Sequence, residues 1–95
     1  MRPVLAADLI CAGRAVLGAP KAERMDVARR ITERADIADS FRRETGKLHA
    51  EYGDGTLAGA ARNWGMRDEP TVCKADFASA LIAVLQVVLH RQADQ

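Results

Sequence analysis

Residues 42–65, RRETGKLHAEYGDGTLAGAARNWG, hold the densest gathering of side chains that could do chemistry. His49, Glu51 and Asp54 are metal-ligand types. Their spacing fits no rigid ligand motif: the histidine pair of a zinc helix is missing, and so are the alternating acidic positions of a calcium loop. No metal is expected. The stretch GDGT, residues 53–56, is the nearest approach to a phosphate-binding turn. It lacks the lysine–serine pair of a P-loop and follows no strand, which argues against nucleotide hydrolysis. Free N–H groups at a helix start can hold an anion, but a glycine turn with Thr56 as helix cap accounts for the same residues.

Nucleophilic catalysis has no better footing. Cys11, Cys73, Ser40 and Ser79 have no neighbour that would supply an activating base, and His49 and His90 are isolated. Asp36 and Asp39 project onto a solvated helix face, where nothing would raise a carboxyl pKa. The expectation is a protein that is not an enzyme and takes no cofactor.

Cations are the remaining candidates. Arg42, Arg43, Lys47 and His49 cluster within eight positions, with Arg62 and Arg67 able to fold nearby. Two accounts are open. Cations at a helix C-terminus are favoured by the helix dipole, or Arg42, Arg43 and Lys47 contact phosphates in a salt-sensitive, sequence-independent way. Tyr52 and Trp64, the one tyrosine and one tryptophan, either brace the turn against a helix or, if exposed together, anchor a partner protein.

The elements that must position these residues follow from bulk properties and periodicity. Ninety-five residues make one domain, spanning 1–95, with 48% hydrophobic and 28% charged residues, an ordinary globular mixture. Aromatics are only 4% and alanine is the commonest residue, so the core is thin and self-association is a natural way to bury more surface. A net charge of +1 gives no global attraction to nucleic acid or acidic membrane; any such binding is local. Cys11 and Cys73 lie far apart among apolar residues, as buried reduced thiols do. No signal peptide opens the chain and no apolar run is long enough to span a bilayer, so a cytoplasmic location without membrane contact is expected.

Periodicity predicts an all-α fold of four helices. The first runs from about Leu5 to Leu17 and closes at Gly18 and Pro20. The second, from about Pro20 to Thr45, stops at Gly46; its apolar face carries Val27, Ala28, Ile31, Ala35, Ala38, Phe41 and Thr45. Arg24, Arg34 and Arg42 intrude on that face. Their stems could cover the stripe, or their heads could meet carboxylates of another subunit or a ligand's phosphates; Arg24, Arg34, Tyr52 and Trp64 are therefore the partner-binding candidates. A short third helix follows Thr56 and ends at Gly65. The fourth begins between Thr71 and Asp76 and runs to about Arg91, with Phe77, Leu81, Val84, Leu85 and Val88 as its main stripe, widened by Ile82, Val87 and Leu89, at the bundle centre or an oligomer seam.

The opening MRPVL running straight into a helix, the long arginine-rich helix ending in RRETGKLHAEYGDGTLAGAA, and the short leucine- and alanine-rich last helix form a recognisable layout. It resembles the small proteins encoded just before the large terminase in gene transfer agent clusters, which are regarded as small terminase subunits. The resemblance covers most of the chain and rests on layout and the 42–61 block. It implies a DNA-packaging adaptor: a ring-forming homo-oligomer that engages double-stranded DNA weakly and recruits the large terminase subunit, which carries the ATPase and nuclease. The chain departs from the usual phage pattern because no helix-turn-helix stands out. The second helix is too long and too acidic for a recognition helix, so binding without sequence preference is the expectation. The different class of function open to the same residues is a small protein-interaction or regulatory module with no DNA contact.

Overall fold

The computed structural model describes residues 1–69 and 74–93, with side chains as far as Arg91. Helix α1 spans Ala6–Val16 and a 3-10 turn, Lys21–Glu23, leads into the long α2, Arg24–Thr45. Helix α3 spans Leu57–Trp64 and α4 spans Ala75–Ala93. This is a small all-α domain with one long helix, a short third helix and an apolar last one. A start of the fourth helix before Lys74, and the thiol of Cys73, fall outside the described residues. No described helix is long and apolar enough to cross a membrane.

Local chemistry explains the helix ends. Gly46 adopts φ 72°, a left-handed conformation cheap only without a Cβ, and its N–H donates to the Arg42 carbonyl at 2.8 Å. The Thr56 hydroxyl accepts from Gly59 N–H at 3.0 Å and so opens α3, while Gly65 closes it. The expected helix from Pro20 instead begins at Arg24. Glu23 N–H bonds back to the Pro20 carbonyl, giving the tighter 3-10 turn first.

Helix α1 packs against α3 and α4, and α2 packs against the same two helices. Asp8 meets Ala58 and Arg14 meets Arg67, so α1 and α3 run parallel. Arg24 meets Asp76 and Asp36 meets Arg91, so α2 and α4 are also parallel to each other. Both helix starts of the first pair therefore lie at the end of the bundle where α2 and α4 finish.

Phe77, Ile31, Leu57, Val16 and Val84 are the large fully buried apolar side chains; alanines such as Ala35, Ala61 and Ala80 fill the space between them. A Cβ built on Gly13 would come within 2.7 Å of Leu81 Cδ2, a measure of how closely α1 and α4 approach. On α2 the expected face is buried from Val27 to Ala38, but Phe41 and Thr45 lie at the exposed end. On α4 the expected stripe needs correction. Its buried positions are Phe77, Ala80, Ala83, Val84 and Val87, whereas Leu85 is 48% exposed. The small residues carry this interface because close helix approach favours them, and a stripe drawn through the large residues alone points to one side of it.

Candidate nucleic-acid and partner interface

The candidate cations sit at the end of the bundle where α1 and α3 begin. Asp8 organises that end. It is only 6% exposed; its Oδ2 accepts from Leu5 N–H at 2.8 Å and its Oδ1 from Ala58 N–H at 2.9 Å. One carboxylate thus satisfies unpaired donors at the starts of two helices, where negative charge is also favoured by both dipoles. Asp8 is not among the residues expected at the site. An acidic residue three positions into a helix after a cap is the available signal for the bond to Leu5; nothing local announces Ala58.

Asp36 and Asp39 are placed differently from the expectation of a solvated face. Asp39 is 6% exposed, because Gly55 lies directly upon it: a Cβ at Gly55 would stand 2.8 Å from Asp39 Cα. The Met1 α-amino group pairs with Asp36 at 2.5 Å and with Asp39 at 3.6 Å. Arg43 binds the Asp39 carboxylate, and Arg91, on α4, binds Asp36. The hydrogen bond from Arg43, and then its charge, hold the Asp39 carboxyl below its ordinary value of 3.8 against the opposing effect of burial. Asp54 is likewise held low, first by the hydrogen bond from the Thr56 hydroxyl.

Around this pair stand the predicted phosphate contacts. Arg42 donates from Nη1 to the Asp54 carbonyl at 3.2 Å, tying α2 to the glycine turn. Arg43 remains exposed beyond its ion pair, and Lys47 is exposed one residue past the Gly46 cap. Arg2 is anchored at the same end by its backbone N–H, which donates to the Gly55 carbonyl at 2.8 Å, and it lines a cleft with Asp36, Val88 and Arg91. Arg62 and Arg67 are exposed elsewhere: Arg62 lies on α3, and Arg67 holds Arg14 through its carbonyl.

The four residues considered for partner binding are used inside the chain. Arg24 is 5% exposed; it pairs with Asp76 at 2.9 Å and donates to the carbonyls of Ala19 and Asp76, bracing the start of α2 against α4. At that burial Arg24 presents little surface to a partner. Arg34 lies between two rings, its guanidinium carbon 5.0 Å from the Tyr52 centroid and 4.6 Å from that of Trp64. His49 stacks on Tyr52 with centroids 4.6 Å apart, and Phe41 meets His49 edge-on at 5.2 Å. Tyr52 and Trp64 therefore brace the turn against α2 through a cation and do not stand out as a joint anchor. His49 Nδ1 accepts from the N–H groups of Glu51 and Tyr52, at 3.1 and 3.0 Å, which shapes the turn.

Among the described residues, no three His, Cys, Asp or Glu side chains converge as a metal site would require. Every buried side-chain nitrogen and oxygen among them has a hydrogen-bond partner. Fold and site together define a small four-helix domain in which Asp8, Asp36, Asp39, Arg42 and Asp54 lock one end of the bundle, leaving a few cations displayed there. The model of the family described as Domain of unknown function (DUF7742) matches residues 2–88, and the chain belongs to that family. No curated protein and no solved structure compared with it matches.

Proposed function

We propose that the protein is a DNA-packaging adaptor of the small-terminase kind. It binds double-stranded DNA weakly and without sequence preference, self-associates, and recruits a large terminase subunit that supplies the ATPase and nuclease. The observation that supports this reading is the display of Arg43 and Lys47, with Arg42 on the same helix end, in a chain whose net charge is only +1. Cations held on a rigid helix end meet phosphates without reading bases, which matches a protein that engages whatever DNA it is given. The resemblance of the 42–61 block to small terminase proteins of gene transfer agents supports the same reading.

The test is a salt titration of binding to unrelated duplexes of equal length. Affinity is expected to fall linearly in log–log form, and equally for every sequence. Arg43→Gln and Lys47→Gln together should flatten the slope by about two, roughly one for each phosphate no longer neutralised. No retardation at low salt would remove DNA from the account.

A second reading is a small helical interaction or regulatory module with no DNA contact. It is supported by Arg43 being already paired with Asp39 and by the large apolar residues left exposed on α2 and α4. It differs in the same titration, where it expects no binding.

A further inference from the structure

The outer face of α4 has a feature that the packing within the chain does not use. Ile82, Leu85 and Leu89 are 55%, 48% and 69% exposed, and with Ala78 they line one stripe of the helix. The spacings are four, three and four, so the stripe is a palindrome about the point between Ala83 and Val84. Turning a second copy of the helix end over end places Ala78 opposite Leu89 and Ile82 opposite Leu85, small against large at the edges and large against large in the middle.

We infer that two copies of this chain pair through α4, antiparallel and about a two-fold axis near Ala83 and Val84. A two-fold contact requires one patch complementary to itself, and a palindromic stripe provides that. Between residues 77 and 89, α4 carries no charged side chain; the flanking Ser79 and Gln86 are neutral. His90 closes that stretch, and the nearest full charges on either side, Asp76 and Arg91, are already paired within the chain to Arg24 and Asp36. An uncharged seam selects an equally uncharged apolar helix, and a second α4 is one. Antiparallel pairing also sets the two helix dipoles head to tail.

The area agrees. Leu5, 68% exposed, begins the helix that runs antiparallel beside α4, and its neighbour Val4 lines a cleft with Val88. Leu5 lies at the helix start, and the three stripe residues by themselves present on the order of 300 Å² of apolar surface, about the size of the largest patch on a typical monomer and often a functional one. A standard interface buries about 800 Å² per partner, roughly 60% of it apolar, so the stripe supplies more than half of the apolar share that such a dimer needs.

This pairing gives a place and a symmetry to the self-association in the proposed function. It rests on that part of the reading alone and stands whether or not the protein binds DNA. The test is sedimentation equilibrium of the whole chain from micromolar to submillimolar concentration. The wild type is expected to approach twice the chain mass of 10.3 kDa. Leu85→Glu should return it to the single-chain mass with the helical circular dichroism retained, while Ile37→Glu, on the exposed side of α2, should leave the dimer intact. Orientation is read by mixing Ile82→Cys copies with Leu85→Cys copies under mild oxidation and mapping the bridged peptides. A mixed 82–85 disulfide is expected; bridges joining only like positions would mean a parallel pair and overturn the inference. So would a wild type that stays monomeric throughout, an assembly broken by Ile37→Glu and not by Leu85→Glu, or a stripe that binds only a different helical protein. Salt-dependent DNA binding of Leu85→Glu is measured alongside: its loss or retention bears on the packaging reading and leaves the mass result to decide this one.

Discussion

Replacing Asp8 by alanine leaves the Ala58 N–H without an acceptor in a buried place and the Leu5 N–H without one in a partly buried place. Each stranded donor costs about 1–2 kcal/mol, so Asp8→Ala should lower stability by roughly 2–4 kcal/mol. Asp8→Asn, which keeps one carbonyl oxygen, should lie between that variant and the wild type in chemical denaturation followed by circular dichroism. The example also marks where sequence reading stops. A helical projection knows only its own helix, so it put Asp39 on the wet side; Gly55, sixteen residues further along, covers it. The same limit applies to Arg24 and Arg34. Their intrusion on the apolar face was legible, whereas Asp76 and the two rings that receive them come from other elements.

At the scale of elements, helix ends were the most legible part because their chemistry is local. Gly46, Thr56 and Gly65 sit where the sequence put them and do what their side chains, or lack of them, allow. The two left-handed glycines that bracket the turn nevertheless differ. Gly46 has φ 72° and open space around its missing Cβ, so Gly46→Ala should cost about 1 kcal/mol, the backbone penalty alone. Gly55 has φ 92° and the Asp39 backbone within 2.8 Å of that position. Gly55→Ala adds a clash with rigid atoms and should cost about 3 kcal/mol or more, read as a drop in urea midpoint at unchanged slope. Face assignment on α4 was harder to read. Alanine carries little weight in a hydrophobic pattern, yet Ala80 and Ala83 are what bring that helix close, and their burial turns Ile82, Leu85 and Leu89 outward.

For the molecule as a whole, the locked end ties stability to pH. Asp39 and Asp54 are both held below the ordinary carboxyl value of 3.8, so the unfolded chain takes up protons before the folded one does. Their contribution is complete above that value and is lost as pH falls through the lower folded values. Urea midpoints should therefore be flat near neutrality with respect to these two groups and fall below about pH 4. Asp39→Asn should be less stable at pH 7 and show a shallower acid decline; an unchanged decline would free Asp39 from this role. The bond between Asp8 and Ala58 has a different outcome at this scale, because it joins positions 50 residues apart in the chain. The Leu5 N–H finds its acceptor within α1, but the Ala58 N–H finds its acceptor only on α1, so an opening of α1 must release the start of α3. The Ala58 amide hydrogen should then exchange with solvent through the event that opens α1, 50 residues away in the chain, and Asp8→Ala should lower its protection.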